Sequence, residues 1–492
     1  MKYRAAGVAV MALMLLAALC ASIWQPDSPY RRVHQHMTAR QPDAGCDCDG
    51  TGLCSHLPLV ILETGGVEIP GKPTGKLDAF GQELYTLAAD GRDIIDASLC
   101  VIDNPDGNNH PQDAAALTTA AEIRVRGHSS RHFAKSSYQL DFVDEQGTAA
   151  PAEVMGMAAH SEWVLYGPCL DKSLVRNYMW YNISGEIMEW APNVRYCELI
   201  LNGEYQGLYL MTETITDGEN GRLNLSTTAR NTTATGYLLR SDRTTEEDLG
   251  GVRDIFSYLE RTQPLITDVR IRYPKRSDLT EALRRDIELD YAAFEKALYS
   301  YDYDTDDYGY WHFIDVDNFV DYYLINEFTV NVDMGYYSHY LYKDLEGKYK
   351  LAVWDFNNTC DNYIEDRFPP ETLEMASRPL YYMLTKHEGF AQRVLARYDA
   401  LRQTVLSEEY LMTYIDDTLA FLGPAVERNN RRWQELMTQW APLEPAERNL
   451  YSHEEAVEQL KTWLCERGRW LDENFHTLQQ YSHPSRNKAY DH

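Results

Sequence analysis

The sequence predicts an α+β fold with a β-rich N-terminal part and a helical C-terminal part. Short runs of alternating apolar and polar residues, bounded by Gly and Pro, are concentrated before about residue 215 and are typical of strands. Longer amphipathic stretches predominate later in the chain. With 492 residues and 44% hydrophobic content, the chain can bury substantial cores, which excludes disorder as its main state.

The charge balance excludes one class of partner. The chain carries 75 acidic and 46 basic residues, for a formal charge of -29. A surface this negative repels phosphate backbones, so we expect no nucleic-acid partner.

The N-terminus predicts export. In residues 1–24, Lys2 and Arg4 precede an uncharged run from Ala5 to Ile23, about as long as a bilayer core is thick. This pattern indicates a signal peptide or a single membrane anchor, and therefore an extracellular or cell-surface protein. Residues 25–55 form a polar stretch without periodicity, which we interpret as a linker.

Three cysteines occur close together at the end of this linker. Cys46, Cys48 and Cys54 lie in GCDCDGTGLC, and no His or second Cys pair follows at the spacing of a zinc site. We therefore expect a local disulfide or free thiols here.

The secondary-structure elements follow from periodicity and turn residues. Asn202-Gly203 between two apolar runs is the strongest hairpin signal. Helices are predicted over residues 173–190, 278–299 and 316–330, and over most of 389–479. The strands predicted in order are LPLVILET (57–64), ELYTLAA (83–89), AEIRVRG (121–127), SYQLDFVD (137–144) and EWVLYG (162–167).

One basic segment stands out in this acidic chain. RVRGHSSRHFAKSSYQLDF (124–142) places cations and hydroxyls in a turn between two predicted strands, which suits a phosphate cradle. No Walker glycine pattern is present, and a solvated basic hairpin is the alternative. The candidate phosphate contacts are Arg126, Ser129, Ser130, Arg131 and Lys135.

Two aspartates have the order and spacing of a phosphoryl-transfer site. Asp333 directly follows a predicted helix, Ser338 comes five positions later, and Asp355 ends an apolar strand. In such sites one Asp accepts a hydroxyl proton, a polar residue five positions on binds metal, and a later Asp holds Mg²⁺. Asn357 occupies the position of the glycine in the kinase Asp-Phe-Gly motif. Two buried or capping aspartates are the alternative interpretation.

Several motifs in order carry a family resemblance that extends from Leu57 to about Phe475. The motifs are RGHSSRHFAKSSYQLDF (126–142), WVLYGPCLDKSLVRN (163–177), ELILNGEYQGLYLMTE (198–213), NVD (331–333) and VWDF (353–356). With these motifs in this order, the sequence resembles the CotH kinase family, the spore coat protein H type of atypical protein kinase.

The resemblance implies a two-lobed, protein-kinase-like fold that uses ATP and Mg²⁺ or Mn²⁺ to phosphorylate Ser or Thr of exported or cell-surface proteins. It implies that Asp333 is catalytic and that Asp355 binds metal, with Ser338 and Asn357 as further candidate ligands. The basic segment then matches the phosphate-binding loop. Glu213 is expected near the adenine, and Arg176 is expected to face the nucleotide from a helix.

The resemblance also implies domain limits, and it has two departures. We expect an N-lobe-like region over 56–215, a C-lobe-like region over 216–385 and a helical extension over 386–492. Where the family usually has a second aspartate, in WDFD, this chain has Asn357, and Arg240 replaces a usual acidic residue. The alternative function is therefore a weak or inactive surface scaffold, a pseudokinase. The sequence determines neither the acceptor protein nor the oligomeric state.

Overall fold

The computed structural model describes residues 45–48, 50, 52–78, 81, 83–105, 107–216, 222–223, 225–226, 234–243, 255, 257–258 and 267–491. The predicted export segment and most of the predicted linker lie outside the described residues. In the described part of the chain, no helix has the length and apolar content needed to cross a bilayer.

The N-terminal part contains a closed seven-stranded barrel. The strands follow one another around it in the order β1-β10-β11-β9-β6-β5-β4, and only the β1–β10 pair is parallel. Alternate side chains fill the interior, among them the fully buried Leu140 and Trp163. The N-terminal strands are β1 (Leu59–Glu63), β2 (Pro73–Leu77), β3 (Glu83–Tyr85), β4 (Ile95–Ile102), β5 (Leu117–Val125), β6 (Tyr138–Val143), β7 (Ala152–Val154), β8 (Met157–His160), β9 (Glu162–Tyr166), β10 (Val194–Leu201) and β11 (Glu204–Glu213).

The predicted hairpin is confirmed. Leu201 of β10 pairs with Glu204 of β11, and the two turn residues both have positive φ, 50° at Asn202 and 76° at Gly203. Asn and Gly are the residues that adopt this backbone most readily. The prediction missed β4, although buried and exposed residues alternate along its first five positions.

A second, smaller sheet follows in the order β13-β12-β14-β15. Its pairs are all antiparallel, and β14 lies between β12 and β15. Since β15 ends three residues before Asp355, this sheet sets the position of the VWDF motif. The strands are β12 (Tyr237–Arg243), β13 (Thr267–Tyr273), β14 (His339–Lys343) and β15 (Lys350–Ala352).

Helices complete an α+β fold, as predicted. The largest apolar cluster draws residues from Leu57 to Leu478, so the C-terminal helices share the core of the middle region. The two-lobed arrangement implied by the resemblance remains a prediction. The helices are α1 (Arg176–Ile187), α2 (Glu281–Tyr299), α3 (Val316–Thr329), α4 (Tyr381–Leu384), α5 (Glu388–Arg402), α6 (Glu408–Leu422), α7 (Pro424–Arg432), α8 (Gln434–Thr438) and α9 (His453–Asn474).

A buried ion pair joins α9 to α3. Arg467 and Glu327 are both fully buried, and the guanidinium donates to Glu327 Oε1 at 2.6 Å and to the carbonyl of Pro370 at 2.6 Å. The second carboxylate oxygen of Glu327 accepts from the backbone N–H of Met375 at 2.7 Å. The pair is therefore satisfied on both sides, and it fixes the helix that leads into Asp333.

We expect the substitution Arg467→Met to lower the free energy of unfolding by about 3–5 kcal/mol, because it leaves the Glu327 carboxylate buried and unpaired. Urea denaturation of the full chain measures the loss. The matched control is Arg469→Met on the same helix, where the arginine side chain is 66% exposed and pairs with Glu408. That change should cost no more than about 0.5 kcal/mol, and equal losses in the two variants would contradict the expectation.

Candidate active site

Helix α1 is the element on which the site is built. Ten of its twelve residues are buried, so it lies within the protein and not on its surface. Asp171 fixes its beginning: Oδ2 accepts from the Arg176 backbone N–H at 2.8 Å, and Oδ1 pairs with the Arg176 guanidinium at 2.6 Å. A carboxylate at this end satisfies a helix N–H and interacts favourably with the helix dipole.

Side chains of α1 bind the backbone of the loop that follows β15. The Asp355 N–H donates to Tyr181 Oη at 3.0 Å, and the Phe356 N–H donates to Asn177 Oδ1 at 2.8 Å. The Arg176 guanidinium donates to the carbonyl of Thr359 at 3.0 Å. Three side chains of one buried helix therefore hold the loop backbone at Asp355, Phe356 and Thr359.

This support matters because Asp355 is conformationally strained. Its φ is 60°, in the left-handed region that few non-glycine residues adopt. Such backbone costs about 1–3 kcal/mol and persists only where its surroundings over-determine it. The hydrogen bonds to Tyr181 and Asn177, and the rings of Trp354 and Phe356 packed against Tyr181, provide that constraint.

Asp333 is held by a turn at the end of α3. Val330 caps the helix with a φ of 48°, and the Asn331 N–H donates back to the carbonyl of Asn326 at 2.9 Å. Asn331 Oδ1 in turn accepts from the Asp333 N–H at 3.3 Å. The NVD motif is thus a helix-ending turn that places a buried carboxylate at its tip.

Two asparagines connect the two aspartate loops. Asn358 Nδ2 donates to Asp333 Oδ2 at 2.9 Å, and Asn357 Nδ2 donates to Asn358 Oδ1 at 2.9 Å. This relay uses one N–H of the Asn357 amide group, whose Oδ1 is buried and has no hydrogen-bond partner among the described residues. A buried acceptor without a donor is costly unless a ligand or water completes it.

The charge of Asp333 makes Asp355 harder to ionise. The pKa of Asp355 rises to about 7, first because burial disfavours the charged form and then because Asp333 is negatively charged nearby, while Arg126 lowers it. Burial also raises the pKa of Asp333, against the opposing effects of Arg243 and the hydrogen bond from Asn358. We call Asp333, Asp355, Asn357 and Asn358 the aspartate site.

A comparison with protein families identifies the family of this chain. The family model described as CotH kinase protein matches residues 123–471, more than half of the chain. The chain belongs to the CotH kinase family. A comparison with curated proteins finds no match.

Of the predicted phosphate contacts in this CotH protein, Arg126 lies at the aspartate site. Its guanidinium is 5.5 Å from the ring centroid of Trp354, and its charge acts on Asp355. Ser129 and Ser130 lie in a 3₁₀ turn after Gly127, whose φ of 109° and contact with Ser130 Oγ leave no room for a Cβ. These hydroxyls lie on the loop that follows Arg126, and their phosphate role stays a prediction.

Two predicted phosphate contacts are engaged elsewhere. The Arg131 guanidinium donates to the carbonyl of Gly127 at 2.7 Å and stacks over Tyr85 at 4.1 Å. Lys135 is buried, and its Nζ donates to Asn429 Oδ1 of α7 at 2.7 Å. The contacts of Lys135 brace the barrel against a C-terminal helix and do not support a role with phosphate.

Three further predicted site residues are Arg176, Glu213 and Ser338. Arg176 supports the loop backbone, as described above, so we assign it a positioning role. The Glu213 carboxylate accepts from the Asn193 N–H at 2.8 Å and lies 3.7 Å from the Arg222 guanidinium. Ser338 directly precedes β14 and has a φ of 49°. The adenine and metal roles of these two residues stay predictions.

The structure adds charged residues that sequence reasoning missed. Asp242 and Arg240 are ion-paired on the same face of β12, and the charge of Asp242 acts on both site aspartates. Arg243 and Arg378 lower the pKa of Asp333. Arg240 stands where the family usually has an acid, but Asp242, two positions on, supplies one on that face. The sequence GYLLRSDR could have revealed Asp242, because alternate residues of a strand lie on the same face.

We expect Asp355→Asn to stabilise the metal-free protein increasingly as pH rises. Because the folded pKa of Asp355 lies above its unfolded value, the native state keeps a proton that the unfolded chain has lost, and stability falls as pH rises toward 7. Asn removes this penalty. The gain should be on the order of 1–2 kcal/mol at pH 8, after allowance for solvent screening.

Chemical denaturation at pH 5.5 and pH 8 in the presence of a chelator measures this gain. The control is Asp307→Asn, which makes the same charge change at an exposed position. A gain that does not grow with pH, or one that the control matches, would show that Asp355 is not the group responsible.

Proposed function

We propose that this CotH family protein is a metal-dependent protein kinase that transfers the γ-phosphate of ATP to Ser or Thr of exported or cell-surface proteins. The observation that carries the proposal is the aspartate site. Two carboxylates from separate loops lie close enough that the charge of Asp333 raises the pKa of Asp355, and the nearby Asn357 amide oxygen has no partner among the described residues. If the two aspartates were purely structural, we would expect their carboxylates to cap a helix or to form ion pairs.

The residues present fit a divalent cation such as Mg²⁺ or Mn²⁺. The Asp355 carboxylate and Asn357 Oδ1 are hard oxygen donors, and Mg²⁺ is usually bound by one or two carboxylates together with phosphate oxygens and water. In the described part of the chain, no three carboxylates lie within 4.8 Å of one another, which suits an ion that shares its ligands with ATP. When bound, the ion would neutralise charge on the phosphates undergoing transfer.

Asp333 is proposed to accept the proton of the substrate hydroxyl. As the hydroxyl oxygen bonds to the γ-phosphorus, the bond to the β-phosphate oxygen breaks, ADP leaves, and the hydroxyl proton passes to the carboxylate. Asn358 holds one carboxylate oxygen at 2.9 Å and leaves the other available. Arg243 and Arg378 favour the ionised form that a base requires.

Arg126 is proposed to contact the transferring phosphates. It extends from the end of β5, its guanidinium rests on Trp354, and it is partly exposed beside Asp355. A guanidinium binds phosphate through paired N–H donors. The following turn, with Ser129 and Ser130, would add hydroxyl donors to the same phosphates.

The cellular setting is proposed from the N-terminal segment. Lys2, Arg4 and the apolar run after them direct export, so the acceptor would be an exported or surface protein. The net charge of -29 favours a basic acceptor segment, although salt screens this preference beyond about 10 Å.

A catalytically weak surface scaffold is the second candidate. The observation that favours it is Asn357, which provides one neutral oxygen where the family usually has a carboxylate. The ion pair between Arg240 and Asp242 also ties up an acidic group close to the site. Both features lower the negative charge available for a metal.

We expect the full chain to incorporate labelled γ-phosphate into itself or a generic acceptor with Mg²⁺ or Mn²⁺. Asp333→Asn and Asp355→Asn should each lower the rate at least about 100-fold, since they remove the proposed base and the metal ligand. Asp307→Asn serves as the charge-matched control and should leave the rate unchanged.

Two outcomes would reject parts of this proposal. If ATP with Mg²⁺ raises the melting temperature but no phosphate is transferred, the scaffold function is correct. If ATP and metal leave the melting temperature unchanged, nucleotide binding itself is wrong, because a ligand at 100 times its Kd should add about 2.7 kcal/mol of stability.

We expect Asn357→Asp to tighten metal binding by about tenfold at pH 8. The substitution adds a second carboxylate beside Asp355 and restores the WDFD pattern, and hard cations are bound more tightly as ligand charge increases. Mn²⁺ titration monitored by electron paramagnetic resonance measures the affinity. Asn362→Asp, a nearby asparagine that donates to the Asn357 carbonyl at 2.7 Å, is the control. Equal affinity in Asn357→Asp and the unaltered protein would show that Asn357 is not a ligand.

A further inference from the structure

Three thiols and an imidazole lie together outside the aspartate site, next to the start of β1. The ligand atoms of Cys46, Cys48, Cys54 and His110 are all within 4.8 Å of one another. Cys46 Sγ is 3.4 Å from His110 Nε2. None of the three cysteines forms a disulfide in the structure. Free thiols were one of the two outcomes that the sequence predicts for these cysteines, and tertiary structure brings His110, which is distant in the sequence, to them.

A short backbone bridge fixes the two segments that carry these ligands. The Ser55 N–H donates to the Asn109 carbonyl at 3.1 Å, and the Asn109 N–H donates to the Ser55 carbonyl at 2.6 Å. Ser55 directly follows Cys54, and Asn109 directly precedes His110. The Asn109 side chain extends the bridge by donating to the carbonyl of Leu57 at 2.9 Å. Cys54 and His110 are therefore positioned by the barrel scaffold.

Groups around the cluster orient the ligands. Asp113 Oδ2 lies 3.1 Å from His110 Nδ1 and also accepts from the His110 N–H at 2.8 Å. A carboxylate on Nδ1 holds the proton there and leaves Nε2, which faces the sulfurs, as the electron-pair donor. Asn108 Nδ2 donates to Cys54 Sγ at 3.2 Å and so orients this side chain.

The spacing of the ligand atoms is compatible with a tetrahedral metal site. Around a tetrahedral Zn²⁺, with Zn–S near 2.3 Å and Zn–N near 2.0 Å, neighbouring ligand atoms are separated by roughly 3.5–3.8 Å. The separation of 3.4 Å between Cys46 Sγ and His110 Nε2 is close to this ligand-to-ligand distance. Three thiols can form at most one disulfide among themselves, which would leave the third thiol and the imidazole without a role.

We propose that Cys46, Cys48, Cys54 and His110 bind one structural Zn²⁺. Thiolate and imidazole ligands select Zn²⁺ over Mg²⁺, and four protein ligands leave no open position for catalysis. The ion would join the segment before β1 to the connection between β4 and β5. It would thereby fix the entry of the polar N-terminal stretch into the barrel, independently of the proposed kinase activity.

The test measures zinc content in the full chain, purified under reducing conditions without chelator. Elemental analysis should find one zinc per chain, and Co²⁺ substitution should give the absorption bands of a tetrahedral thiolate site. Cys48→Ser should lose the metal, whereas Cys465→Ser, a partly exposed cysteine of α9, should retain it.

Asp113→Asn provides a second measurement that does not remove a ligand. It should fold and should weaken zinc binding about 10- to 100-fold in competition with a chelator, because Asp113 only orients the imidazole. The proposal is overturned if the reduced protein binds no zinc, or if Cys48→Ser retains as much as the unaltered chain. It is also overturned if the protein as purified without reductant has an intact mass two hydrogens lower, from a disulfide among the three cysteines.

Discussion

The backbone of the loop from Asp355 to Cys360 depends on hydrogen bonds from one buried helix, α1. Tyr181 and Asn177 accept from two successive N–H groups of this loop, and Arg176 donates to its carbonyls. A left-handed aspartate would otherwise relax to extended or helical backbone. The buried polar groups of α1 therefore stabilise the strained loop, and the strained loop presents Asp355 and Asn357 to the aspartate site.

The electrostatics of the site follow from this positioning. Burial raises the pKa of both Asp333 and Asp355, and the charge of Asp333 raises the pKa of Asp355 further, which costs stability at neutral pH. Nearby arginines offset part of that cost, since Arg126 lowers the pKa of Asp355 and Arg243 lowers the pKa of Asp333. Under the proposed function, a bound cation would offset this penalty, since it would favour both charged carboxylates.

The C-terminal helices are part of the same structural unit. Arg467 of α9 is fully buried against Glu327 of α3, which leads into the Asp333 turn, and Lys135 reaches Asn429 of α7 from the barrel side. The region expected to be a helical extension thus contacts both the barrel and the helix that supports the site. The match of the family model through residue 471 is consistent with this dependence.

Local sequence determined the elements and the two central aspartates. Asn202-Gly203 specifies its hairpin, and NVD and VWDF identify Asp333 and Asp355, because turn chemistry and periodicity act over few residues. Only tertiary structure decided that Lys135 points to a helix and that His110 meets three distant cysteines. Those outcomes depend on contacts between segments far apart in the chain, which neither spacing nor composition encodes.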